Sequence, residues 1–188
     1  MPDSGWCSRS AAAGLLAAFA IAAGSVPAAA KVFHSRSEAL ELAFPDADRI
    51  EDESILLGDA QAAEVEQLAR SRLESRLVRV YRGYREGALL GVAFIDVHTV
   101  RTLPEAFLVV LSPEGDVRML RVLAFHEPLE YMPSARWYRQ FEEAGPSAPL
   151  RLGRDVHGIV GATLSARATT DGVRRALALY QVVVQRDE

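Results

Sequence analysis

The strongest constraint in this chain is a pair of turn signals set between apolar runs. Glu86-Gly87 and Ser112-Pro113-Glu114-Gly115-Asp116 each interrupt strand-like sequence. Ahead of the first, Leu77, Arg79 and Tyr81 alternate with Val78, Val80 and Arg82, the period of a strand. A tight turn lays the next residues straight back alongside, so strands are predicted over 77–85 and 88–98. The second turn joins strands over 107–111 and 117–125. Four strands joined mostly by short turns make an antiparallel sheet. Helical patterns on either side of this region then pack at one face. The expected class is α+β: an antiparallel sheet built from hairpins, with flanking helices and a long C-terminal helix.

Residues 35–44 read as a helix, with Ser35 or Ser37 as cap, Ala39, Leu40, Ala43 and Phe44 as apolar face, and Pro45-Asp46 as stop. A strand over 49–57 follows. Gly58-Asp59 opens a second helix, about 60–71, with Ala62, Val65 and Ala69 inward. A short helix over 134–143 carries Trp137, Tyr138 and Phe141 on one side and ends before Gly145-Pro146. The last helix, about 166–183, is marked by Val173, Ala176, Leu177 and Tyr180, extended backward by Ala166 and Thr169. Arg167, Arg174, Arg175 and Gln181 fall off that stripe.

The N-terminus reads as an export signal over 1–30. Arg9 precedes an apolar run from 11 to 23, and Val26-Pro27-Ala28-Ala29-Ala30 offers a small-residue cleavage site before Lys31. That leaves one domain over 31–188 and places it in the periplasm. The run is short and Ala-rich for a membrane span; an uncleaved N-terminal anchor is the alternative. The single cysteine, Cys7, lies within this segment. The exported chain then holds no disulfide, Cys-ligated zinc, iron–sulfur cluster or attached c-type haem, and redox chemistry requires another cofactor. A formal charge of −4 gives no footing for nucleic acid as a partner.

The stretch richest in chemistry opens the last helix: Arg154-Asp155-Val156-His157-Gly158-Ile159-Val160-Gly161-Ala162-Thr163-Leu164-Ser165. A helix N-terminus presents unpaired N–H groups and a positive dipole end, and glycine lets backbone approach a ligand closely. Together they favour a phosphate. The other reading is an ordinary loop with Thr163 or Ser165 as N-cap. No Lys follows the glycines, so this is not a Walker loop, and the spacing is not that of a dinucleotide fingerprint.

Gly161-Ala162-Thr163-Leu164-Ser165 before a helix resembles the flavin-attachment motif of the FMN-binding domain family. That family includes the periplasmic flavin subunits of sodium-pumping and Rnf-type electron-transfer complexes. The resemblance covers roughly residues 89–183. It implies FMN as cofactor, joined by a phosphoester to Thr163, and a flavin transferase that installs it from FAD with a divalent metal. It implies electron transfer between a membrane redox complex and a periplasmic cytochrome or metal acceptor, not an enzyme with its own substrate. By the same resemblance Gly161, Ala162, Leu164 and Ser165 contribute donors around the phosphate. His126, Glu127, His157 and Gly158 flank the cofactor, the first two in the loop Ala124-Phe125-His126-Glu127-Pro128. Where the family reads Asp, a small residue, any residue, then Ser or Thr, this chain has His157, Gly158, Ile159 and Val160. That departure keeps two alternatives open: a noncovalent flavin-binding or sensory module, and an exported interaction domain without cofactor.

Other constellations are weaker. Asp96 and His98, two apart on a strand, share one face. A metal site from His98, His126, His157 and Glu127 lacks HxxxH or HExxH spacing. A hydrolase triad from Ser165, His157 and Asp155 lacks the G-x-S-x-G elbow. Arg101-Thr102 reads as a solvated turn, with a cation and hydroxyl beside the ligand as the other reading. Trp137 and Tyr138 could stack on a flavin ring, but aromatics at helical spacing are more often core.

Overall fold

The structure, a computed structural model, describes residues 31–100 and 102–186. The expected export segment and Arg101 lie outside them. Six strands form one antiparallel sheet: β1 (Lys31–Val32), β2 (Arg49–Leu56), β3 (Leu77–Arg85), β4 (Ala88–Val100), β5 (Leu103–Leu111) and β6 (Val117–Phe125), in the order β1-β6-β5-β4-β3-β2. The sheet is a meander from β2 to β6, closed at one edge by β1 on β6. The four strands expected from the turn signals are all present, and the class is α+β.

Around the sheet run α1 (Arg36–Ala43), α2 (Asp59–Ala69), α3 (Ala135–Tyr138) and α4 (Thr163–Leu179). In α1 the Ser35 side chain accepts from the Glu38 amide while Glu38 reaches back to the Ser35 amide, a full capping box. The expected helix over 134–143 is α3 followed by a 3₁₀ turn, Arg139–Phe141. The final turn after α4, Tyr180–Val184, is π-helical.

The helices do not share one face, as the sequence led us to expect. On one face α2 and α4 bury Val65, Val173, Ala176 and Leu177 against Val80, Val92, Phe94, Val109 and Leu111. On the other, Ala39 and Phe44 of the α1 segment pack on Tyr81, Ala93, Leu108 and Val110. The cause is visible in β4: Val92, Ala93 and Phe94 are consecutive and all buried, the run of a strand covered on both sides. Phe44 lies so close over Gly83 that a Cβ there would overlap its ring. Each large apolar side chain so buried contributes about 1.5–3 kcal/mol.

Candidate functional site

The loop before α4 closes against the far end of the β4–β5 hairpin. Ala162 takes the N-cap position and Thr163 is the first helical residue, so neither Thr163 nor Ser165 caps the helix. Ala162 offers no side-chain oxygen, and α4 has no side-chain cap hydrogen bond. Its first-turn N–H groups therefore lack the partner that a Ser, Thr or Asp would supply. The glycine ahead of it has a mechanical reason: Gly161 sits at φ +84°, in the left-handed region. Thr163 is exposed, and its hydroxyl makes only a long 3.5 Å contact with the Ile159 carbonyl.

These residues line a cavity of about 170 Å³ with Val100, Glu127 and Tyr131. The structure thus brings together Gly161, Ala162, Thr163, Leu164, Ser165 and Glu127, six of the nine residues singled out by sequence. Glu127 Oε1 is buried there without a hydrogen-bond partner among the described residues. A carboxylate near a helix N-terminus complements the macrodipole. It also restricts what else can enter: a unit anion about 5 Å from an ionised carboxylate is repelled by roughly 3 kcal/mol at an effective dielectric of about 20.

The remaining three stand elsewhere. His126 donates from Nδ1 to the Pro104 carbonyl at 2.8 Å. His157 is exposed, and its backbone is what the fold uses: the amide donates to Gln140 Oε1 and the carbonyl accepts from Trp137 Nε1, both at 2.7 Å. Gly158 is exposed and outside the cavity lining. Asp155 is engaged by Arg151, and Ser165 is buried, so the triad residues do not assemble. Among the described residues no three His, Cys, Asp or Glu side chains are placed to hold one metal ion. Trp137 and Tyr138 pack into the core, Trp137 edge-on against Phe141 and Tyr138 against Phe107.

Sequence reading missed the charged row beside a neighbouring cavity, which His98 and Arg175 line. Arg175, expected off the apolar stripe, is 6% exposed. It donates to both oxygens of Asp96, Nε to Oδ1 at 2.8 Å and Nη2 to Oδ2 at 2.6 Å. Asp96 Oδ2 also accepts from His98 Nδ1 at 2.7 Å. The 3.4 Å approach of Arg175 Nη2 to His98 Nδ1 brings two donors together, so it reflects their shared acceptor and not a bond between them. His98 Nε2 lies 3.7 Å from Glu105 Oε2, and Glu105 is 0% exposed. Burial alone would discharge His98; the carboxylates of Asp96 and Glu105 outweigh it and raise its pKa to about 9. Burial likewise pushes Asp96 up, but its bonds to His98 and Arg175 prevail and lower it to about 2. The four groups form a row in which basic and carboxyl groups alternate: Arg175, Asp96, His98, Glu105.

Two further groups belong to this region. Burial, and then the charge of Glu105, raise the Tyr138 pKa. The Tyr138 hydroxyl and both Glu105 oxygens lack hydrogen-bond partners among the described residues. The Asp96/His98 pair was legible from strand parity; its partners Glu105 and Arg175 come from other elements and left no local signal.

Among the described residues no helix is long and apolar enough to cross a membrane. The chain matches no protein-family model, and no curated protein is detectably similar to it in sequence.

Proposed function

We propose that this protein is an exported FMN carrier, an electron-transfer flavoprotein whose cofactor phosphate sits at the Gly161-Ala162-Thr163 loop. The observation that carries the reading is the conjunction at the start of α4: an uncapped helix N-terminus, an exposed threonine hydroxyl at its first position and a left-handed glycine beside it. This is backbone suited to an anion with a hydroxyl placed for attachment. With the phosphate held at the helix start, the adjoining cavity of about 170 Å³ would have room for part of a ribityl chain but falls short of the ~300 Å³ at which drug-sized pockets begin. The ring would therefore lie on the rim, where Val160, Leu164 and Leu129 are exposed apolar residues. Glu127 would accept from ribityl hydroxyls.

Flavin bound there would supply one- and two-electron transfer; the chain would position it and exclude water from one side. In the covalent form Thr163 Oγ1 displaces AMP from FAD at the flavin-side phosphorus. The hydroxyl proton is lost, the pyrophosphate bond breaks, and FMN remains as a phosphodiester. A flavin transferase would catalyse this. The redox partners would be a membrane complex and a periplasmic cytochrome. The second reading, noncovalent FMN, is favoured by His157 and Val160 at positions where the family motif differs.

Intact-mass spectrometry of protein from its native compartment, under denaturing conditions, tests both. A gain of one FMN minus water, lost in Thr163→Ala, is the expected result. An unmodified mass from a yellow preparation would leave the noncovalent form. An unmodified, colourless protein would overturn the flavin reading and leave the exported interaction domain.

A further inference from the structure

The outer edge of β6 is bonded at both ends and open between them. At one end the Leu123 carbonyl accepts from the amides of Phe33 and His34, at 2.8 and 3.3 Å. At the other, the Val117 amide donates to the Ala144 carbonyl at 3.0 Å and the Val117 carbonyl accepts from the Glu143 amide at 2.8 Å. β1 itself pairs only with Ala124 and Phe125. Between these clips no described strand lies outside Met119-Leu120-Arg121-Val122, although β5 pairs with all four on the inner side. At about 3.4 Å per residue the open stretch is about 10 Å long. Alternate backbone N–H and C=O groups along such an edge point away from the sheet and are free to pair.

The gap opens on a cavity of about 380 Å³, which all four residues line. Alternate strand side chains leave by opposite faces, so a cavity bordered by four in succession runs along the strand's edge. Its walls are apolar and adaptable. Phe33 stands on the β1 side and Met132 on the α3 side. Met119 and Met132 are two of the chain's three methionines, and methionine reshapes to what packs on it. The ionisable lining is His34, Arg121, Arg139 and Glu142. None of the four makes an ion pair within 4 Å among the described residues. Two guanidinium groups thus face one carboxylate. The opposite edge is built differently: β2 has four charged residues in eight, with Asp52 and Glu53 tied to arginines of β3, a composition that turns added strands away.

We propose that the gap in β6 receives an extended peptide segment of a partner protein, with apolar side chains and one carboxylate. About three or four of its residues fill the open stretch. The segment joins the sheet by main-chain hydrogen bonds, and its apolar side chains rest on Met119 and Met132. Its carboxylate meets Arg121 and Arg139, which supply charge-assisted bonds. This chain does not thread the gap on its way into the fold: β1 runs antiparallel to β6 and is entered from the Phe125 end, away from the open stretch. The inference is independent of the flavin reading.

The test titrates isotopically labelled protein with the pentapeptide N-acetyl-Thr-Val-Glu-Val-Thr-amide, followed by the amide resonances of 119–122. Saturable shifts with Kd below about 1 mM are expected. Outward amides of this stretch, which exchange with solvent from the folded state, should become protected when peptide is bound. The same peptide N-methylated on both valines cannot donate from those positions and should bind at least about tenfold more weakly, the scale of one hydrogen bond. Exchange of its glutamate for lysine should weaken binding to the wild type and strengthen binding to Arg121→Glu, a reversal that a merely structural Arg121 would not produce. Ala135→Trp, an exposed substitution that fills the cavity, should abolish binding of every peptide. Absence of saturation overturns the proposal. So does equal affinity for the N-methylated peptide, which would make the cavity an apolar pocket and not a strand site. Shifts centred on β2 would place strand addition at the wrong edge and overturn it as well.

Discussion

At the scale of single residues, the row Arg175–Asp96–His98–Glu105 governs how this protein should respond to pH. His98 titrates near 6.5 when unfolded and at about 9 in the fold. The folded state thus holds its proton more tightly. The associated stability is complete below pH 6.5 and is lost as pH rises through 9, by about 3 kcal/mol at most. Asp96 runs the opposite way: with its pKa lowered to about 2, its contribution is complete above pH 3.8 and is lost as pH falls toward 2. Urea melts across pH 5 to 9.5 should therefore show stability declining above 6.5, with the decline flattened in His98→Gln. A wild-type profile flat across that interval would mean that His98 is neutral in the fold. Asp96→Ala should cost about 3–5 kcal/mol at pH 6, because it strands two buried cations. Asp96 and His98 were visible as a same-face pair from strand alternation alone. Arg175 was not, because helical periodicity sorts residues by polarity and registers a buried cation as surface.

At the scale of elements, α4 is shaped by what it must lie against. Gly172 sits in its interior, where exchange for Ala ordinarily gains about 1 kcal/mol of helix propensity. Here a Cβ would stand 2.8 Å from Asp96 Oδ2, an oxygen pinned by Arg175 and His98. Gly172→Ala should accordingly destabilise by about 1–3 kcal/mol, as overpacking does, with Tm from calorimetry as readout. A raised Tm would mean that the carboxylate can move aside. The boundaries of β3 and β6 follow from alternation and turn residues, and the structure places them as expected. The β4–β5 hairpin is longer than the sequence indicates, reaching Val100 and resuming at Leu103. Pro104 argues against a strand there, yet it pairs opposite Thr99 at the strand start. Two-residue β1 has no pattern to detect and exists through pairing with β6. Likewise α4 starts at Thr163 and not near 166, with Ala162 at the N-cap position and no side-chain cap to mark the start in the sequence.

At the scale of the molecule, the loops of the candidate site rest on a scaffold that is complete without them. The central strands β4 and β5 are hydrogen-bonded on both sides and covered on both faces, so their amides should open only with global unfolding. The site is made instead from largely exposed segments, 127–131 and 158–165, with Ala162 and Ser165 turned into the core. The Gly-Ala-Thr loop stood out in the sequence because glycines ahead of a helical pattern are a local feature, whereas the Glu127 loop was singled out only through the family resemblance. Their meeting depends on how β4, β6 and α4 converge, which no local pattern carries. If the sheet preorganises the site, ligand binding should act locally. Native-state hydrogen exchange with and without saturating FMN should slow exchange in 127–131 and 158–167 while leaving the relative order of the β4 and β5 amides unchanged. Tm should rise with FMN concentration by mass action, the unfolding free energy gaining about 2.7 kcal/mol at one hundred times Kd. Protection spread evenly through α1 and β2, on the far side of the sheet, would instead mean that the fold tightens as a whole when ligand binds, and the scaffold would not be preformed.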